Sequence, residues 1–257
     1  MELLAGEHIG ALVATAAAAG AAVPAARRWP VPVSRGLAAL IGATYLAEHA
    51  WFIARGTWSA DFNLPLHLTD VVTIVSVLAL WTARPLLVEL TWFWGLTASL
   101  QAVLTPDLGS ADFPELLWWT FFVTHSGAVV AALVLVVGRG IVPRPGAVWR
   151  AFGATVAVAA AAAAANLLTG GNYMWLREKP DEGSLLDLMG PWPWYVVSAA
   201  VLGLLLFSLL GALAARVRPG PRTGGRRRPR GGRARRPARR RTRRSSPSPR
   251  RGPPRAR

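Results

Sequence analysis

Cysteine is absent from all 257 residues. Disulfides, thiolate metal sites and cysteine nucleophiles are excluded together. Acid is scarce: 13 Asp and Glu stand against 29 Lys and Arg, and none of the acids falls in residues 216–257, which hold 19 of the arginines. The remaining chain carries 10 basic residues and 13 acids, a net charge of −3, so the formal +16 belongs to the tail. With almost nothing to bury, this Arg/Pro/Gly/Ser stretch is expected to be a disordered tail.

Uninterrupted polar sequence is equally short in the body, where 53% of the chain's residues being hydrophobic takes the form of long runs. Seven of them, at about 8–26, 37–54, 64–81, 86–104, 114–138, 147–168 and 192–215, approach the roughly 17–25 residues that cross a bilayer as a helix. The expected fold is therefore all-α: a polytopic membrane domain over 1–215 with seven transmembrane helices, followed by the basic tail over 216–257. A cleavable secretory leader would carry its positive charge ahead of the first apolar run. Here Glu2 and Glu7 precede that run and Arg27 and Arg28 follow it, so it reads as a first helix.

Alternate loops divide the basic residues. One side holds Arg27, Arg28, Arg35, Arg84, Arg139, Arg144, Arg150 and the tail, the other Arg55, Arg177 and Lys179. Lys and Arg mark the cytoplasmic face, so the N-terminus is expected outside and the C-terminus inside, in the plasma membrane. Trp51, Trp58, Trp118, Trp119, Trp175, Trp192 and Trp194 gather at the outer ends like an interfacial belt. Asp112 and Glu115 read as a capping box opening the fifth helix, with Pro114 in its first turn. No internal repeat appears, which weakens a transporter reading built on inverted halves.

Ionisable groups inside hydrocarbon are costly and mark sites of use. On this topology Glu48 and His49 lie near the outer end of the second helix, and His67, Thr69 and Asp70 near the outer start of the third. Gln101 is near the outer end of the fourth, His125 is about eleven residues into the fifth, and Asn166 and Asn172 border the long outer loop. The inner half is nearly bare apart from Glu89, which is long enough to snorkel. The bias points to one polar cavity open to the outer leaflet.

His67 and Asp70, spaced i, i+3, would share a helix face, and a carboxylate beside an imidazole fixes its tautomer. Thr69 is the candidate hydroxyl nucleophile, yet at 100° per residue it points about 160° away from His67. His125 could serve as its base from another helix, although depth counting places it roughly 9 Å deeper. Gln101 and Asn166 also fit interhelical hydrogen bonding.

The motifs NLPLHLTD at 63–70, WGLTASLQAVLTPDL at 94–108, FFVTHSG at 121–127, GGNYMWLREKP at 170–180 and LLDLMGPWPWY at 185–195 together resemble the YwaF family of bacterial integral membrane proteins. That family is related to the eukaryotic transmembrane protein 164 group. The resemblance covers about residues 35–215 and leaves out the tail. It implies a multi-pass membrane protein. The eukaryotic relatives look like acyltransferases that move fatty acyl chains between phospholipids with a cysteine nucleophile, and distantly similar membrane hydrolases use threonine and histidine. Where the pattern often carries cysteine, this chain has Thr69. The resemblance also implies His67 and His125 as the functional histidines.

Two functions stay open on this reading. One is lipid acyl transfer or ester hydrolysis, with His125 as base, Thr69 as nucleophile, His67 and Asp70 as an orienting or second acid/base pair, and Glu48, His49, Gln101 and Asn172 holding substrate. The other is a non-catalytic transporter, receptor or scaffold. Neither calls for a metal or cofactor. The expected partners are membrane lipids, with the tail on anionic headgroups in preference to nucleic acid.

Overall fold

The computed structural model describes residues 5–109, 111–180 and 184–217. The tail expected to be disordered falls beyond them. Among the described residues the chain is all-helical, with no strand. Seven helices follow one another: α1 (Gly6–Arg28), α2 (Pro30–Ala54), α3 (Leu68–Thr82), α4 (Pro85–Leu104), α5 (Leu116–Gly138), α6 (Ala147–Thr169) and α7 (Trp194–Val217). All but α3 are long and apolar enough to cross a membrane. α3 is a shorter apolar helix of 15 residues.

Local chemistry sets most boundaries. α2 and α4 each open on a proline, Pro30 and Pro85, whose missing N–H is not needed in the first turn and whose φ suits a helix. α6 is bracketed by Gly146 and Gly170, both left-handed, with φ of 77° and 82°. The helix opens at Leu116 and not at Asp112, where the capping box was expected. Glu115 stands at the N-cap of α5 without a side-chain cap, and Pro114 precedes the helix. The residue before a proline is pushed from the helical region, so 112–115 close a turn instead, Glu115 N–H donating to the Asp112 carbonyl at 2.8 Å.

Pairwise packing fixes the direction of each helix. His8 meets Phe122, Thr15 bonds Ser126, and Ala26 lies on Gly138, so α1 runs parallel to α5. Ser34 bonds Arg139 and Ile41 packs on Gly127, so α2 runs against it. Gly42 faces Val77, and the Arg35 guanidinium lies 5.1 Å from the Trp81 ring centroid, which sets α3 antiparallel to α2. Consequently the segments 55–67, 105–109, 111–115, 170–180 and 184–193 meet at one end, and Trp29, 83–84 and 139–146 at the other. We call these the loop end and the arginine end.

α5 is the central helix, and its apolar window is 67% buried. α1, α2, α6 and α7 turn most of their surface outward, with Leu167 and Leu168 nearly bare. Apolar exposure on this scale marks a lipid-facing surface. The aromatic belt at the loop end holds for Trp58, Trp119, Trp192 and Trp194, all exposed, but Trp118 is buried against Phe122 and Phe113.

α4 meets α5 through a π-turn at Gly95–Ser99, which widens the helix by one residue where it crosses its neighbour. A Cβ on Gly95 would sit 2.8 Å from the Ala128 carbonyl oxygen. Gly95→Ala is expected to cost about 1–3 kcal/mol as overpacking against backbone. Gly203→Ala, where nothing lies within 4 Å, should change stability by less than about 0.5 kcal/mol. Thermal unfolding of the two variants in one detergent checks this, and equal midpoints would refute the tight α4–α5 crossing.

Candidate functional site

Tyr45, Glu48 and His49 lie one turn apart on α2, so all three point toward a common side of the helix. His49 is satisfied locally: its Nδ1 lies 3.1 Å from the Tyr45 carbonyl oxygen and its ring centroid 4.5 Å from that of Tyr45. Glu48 reaches across to the Thr120 side chain of α5, whose hydroxyl donates to the Leu117 carbonyl at 3.2 Å. Asp70, in the first turn of α3, is close enough to Glu48 for the two carboxylates to repel each other, and both act on the Tyr45 hydroxyl. That hydroxyl is buried and has no hydrogen-bond partner among the described residues. Three helices thus bring two carboxylates and two hydroxyls together near the loop end. Sequence reasoning singled out Glu48 and Asp70 and missed Tyr45 and Thr120; the spacing of Tyr45 three residues before Glu48 was the available signal.

His67 is not on the face of α3. It sits at the N-cap in an extended conformation, so helical spacing does not govern where its ring points. The contact it makes with Asp70 is through the backbone, Asp70 N–H donating to the His67 carbonyl at 3.0 Å. Its Nδ1 instead accepts the Met174 N–H at 3.3 Å, which leaves the neutral ring protonated on Nε2. The ring stands edge-on to Tyr173, with centroids 5.2 Å apart, and 5.7 Å from Trp175.

The loop that meets His67 is held from several directions. Asn166 accepts the Tyr173 N–H through Oδ1 at 2.6 Å and donates through Nδ2 to the Tyr173 carbonyl at 3.1 Å. The Tyr173 hydroxyl donates to the Ala60 carbonyl and accepts the Leu64 N–H, both at 2.9 Å. Burial pushes the Tyr173 phenol above its ordinary range, so it remains a donor at neutral pH. Gly171 lies against Asp61 so closely that any side chain would collide with that residue's backbone. Met174 and Trp175 adopt left-handed φ of 57° and 55°, a strained arrangement that persists only where surroundings over-determine it.

His125 is anchored within α5. Its Nδ1 donates to the Phe121 carbonyl at 2.7 Å and its ring stacks on Phe121 with centroids 4.1 Å apart, leaving Nε2 as the basic nitrogen. The Thr69 hydroxyl has no hydrogen-bond partner among the described residues, while the Thr69 carbonyl accepts from Thr73. Since Gly42 faces Val77 and Ile41 faces Gly127, Thr69 stands level with about residue 118 of α5, roughly 10 Å along the axis from His125. Thr69 is instead level with the Glu48–Thr120 contact. The expected depth gap between nucleophile and histidine remains open.

Gln101 and Asn172 serve local structure. Gln101 is exposed and donates to the Thr105 hydroxyl at 2.7 Å. Asn172 closes its own loop, donating to the Glu178 carbonyl at 2.9 Å and accepting the Arg177 N–H at 3.0 Å. Among the described residues no three His, Asp or Glu side chains gather as a metal cage would require.

A second ionic centre lies at the arginine end, where the sequence reading allowed Glu89 to snorkel. Glu89 is 1% exposed. Its carboxylate accepts from Arg144 Nε at 2.7 Å, Nη2 at 3.1 Å and backbone N–H at 3.0 Å, and from Arg150 Nε and Nη2 at 2.9 Å each. The arginines come to Glu89, so the carboxylate need not reach out to water.

No curated protein and no solved structure matches the chain. A family model does, over residues 5–211, a stretch containing all seven helices but for the end of α7, the carboxylate cluster and the loop clamped on His67. The chain is thus a multi-pass membrane protein that belongs to the TMEM164 family.

Proposed function

We propose that this protein, of the YwaF type within its family, spans the plasma membrane seven times with its N-terminus outside, and that the cluster at the loop end handles the acyl esters of lipids in the outer leaflet. On this reading α3 crosses together with the extended residues 64–67 that lead into it, and the basic tail lies on anionic headgroups inside. The observation that carries the site is the convergence of Tyr45, Glu48, Asp70 and Thr120 from three helices around a buried hydroxyl with no partner among the described residues. A buried O–H without an acceptor is a costly arrangement, which a ligand carbonyl oxygen relieves.

The chemistry follows from the level of each group. Thr69 Oγ attacks the ester carbonyl carbon and its proton passes to the Glu48–Asp70 carboxylate pair, which stands at its depth where His125 does not. The Tyr45 hydroxyl donates to the carbonyl oxygen as negative charge develops there. Collapse breaks the ester C–O bond, the departing lipid alcohol takes the proton from the carboxylate, and the acyl group on Thr69 passes to a second hydroxyl or to water. His67 holds the loop through the Met174 N–H, and His125, roughly 10 Å away along the axis, takes no step.

Full-length protein reconstituted with fluorescently labelled phospholipid tests this. Acyl exchange or release is expected from the unaltered chain and should fall at least about a hundredfold in Asp70→Asn, the scale of lost acid/base catalysis. A Thr69→Val variant as active as the parent would remove the covalent route. A second reading, a non-catalytic lipid-binding site, is favoured by the absence, among the described residues, of any base bonded to the Thr69 hydroxyl. Specific binding of labelled lipid without turnover would support it.

A further inference from the structure

Beside Glu89 an open groove of about 340 Å³ runs between α6 and α7 at the arginine end, within the range of roughly 300–1,000 Å³ typical of ligand clefts. Its wall is apolar, made by Phe93 of α4, Val148 of α6 and Ala212 of α7. Its mouth is the turn that carries Arg144. At its back the helices touch, a Cβ on Gly211 coming within 2.9 Å of Val148. Trp149 stands at the rim, 67% exposed, as tryptophan does at a headgroup boundary.

The charge at the mouth is unbalanced. Two guanidiniums share the single carboxylate of Glu89, so one positive charge is left over. Glu89 takes up Nε and Nη2 of Arg144, whereas Nη1 bonds nothing among the described residues and half of that side chain is exposed. A cationic fork held rigidly by a buried acid, at the open end of a greasy slot, is complementary to a molecule with an anionic head and an apolar tail.

We infer that this groove seats one anionic phospholipid, its phosphate on the outward edge of Arg144 and an acyl chain along Val148 and Ala212. The site lies at the opposite end of the bundle from the carboxylate cluster and stands independently of the acyl-ester reading. Basic pockets between membrane helices are a recurrent way to hold such headgroups. The pre-formed guanidinium pair sets it apart from an unpaired surface charge, which any anionic surface attracts alike.

The test uses the delipidated full chain in detergent, with lipid binding followed by native mass spectrometry. Phosphatidylglycerol and phosphatidylcholine with identical chains are compared, and inorganic phosphate is a separate arm. One surplus charge at a membrane surface predicts roughly fivefold tighter binding of phosphatidylglycerol. Ala212→Trp fills the groove without touching either arginine and should abolish most of that preference; Ser208→Trp, on the same wall, is the second variant should the first not fold. The arginine tail is the same in every sample, so the difference between parent and filled variant isolates the groove. Equal affinity for the two lipids, or a preference that survives both tryptophans, overturns the proposal. Competition by inorganic phosphate at lipid-equivalent concentration would identify a free-anion site and overturn it as well.

Discussion

Arg144→Ala combined with Arg150→Ala is expected to destabilise the bundle by about 3–5 kcal/mol, the usual consequence of leaving a buried carboxylate without its cation. Glu89 is almost wholly inaccessible, and four of the five donors it accepts are the side-chain nitrogens of these two arginines. The cluster ties the second turn of α4 to the α5–α6 loop and to α6. One turn further, the Trp94 indole N–H donates to the Thr155 hydroxyl at 2.8 Å and continues the same seam. Adding Glu89→Met to the double variant should recover most of the loss, because an apolar side chain of similar length needs no counter-ion there. Midpoints of tryptophan-monitored unfolding in one detergent provide the comparison. A double variant as stable as the parent, or a triple variant no better than the double, would show that water already shares the carboxylate.

The seven helices were legible because a bilayer demands long apolar runs, and that demand is written in local composition. Their ends were less legible. α2 begins at Pro30, seven residues before its apolar run, since Pro at the first position and Ser34 and Arg35 in the next turn make good helix without raising hydropathy. α3 begins at Leu68 because Pro65 and the extended His67 hold residues 64–67 off the helix. The site divides along the same line. Glu48 and Asp70 stood out as acids in apolar surroundings, yet the pairing of Asp70 with His67 rested on a helical phase that His67 does not share. The partners that matter lie far along the chain: Thr120 for Glu48, Met174 for His67, and Arg144 and Arg150 for Glu89. Spacing within one helix carries no information about contacts 50 to 110 residues apart.

Asn166→Ala is expected to loosen the loop end by about 2–5 kcal/mol, since it strips two buried backbone groups of Tyr173 of their partners at roughly 1–3 kcal/mol each. Asn166 is 2% exposed and Tyr173 wholly buried, so water cannot replace the amide. The effect should spread, because Tyr173 also bonds Ala60 and Leu64 and packs on His67. Loop and leader segment are therefore expected to come free together. Trypsin reports this at Arg177, an exposed residue whose guanidinium donates to the carbonyls of Gly170 and Gly171 at 2.8 and 3.2 Å and so holds the local backbone in the folded turn that a protease must open. Faster cleavage there, with a lowered unfolding midpoint, is the expected result. Asn166→Asp keeps the acceptor for the Tyr173 N–H and loses the donor to its carbonyl, so it should fall between parent and alanine. Leu168→Ala, at a neighbouring and almost fully exposed position, should leave trypsin sensitivity unchanged. If Asn166→Ala were cleaved no faster than Leu168→Ala, the clamp on His67 would have to come from Gly171 and the tyrosine hydroxyl alone, and the loop would keep its hold on His67 without the amide.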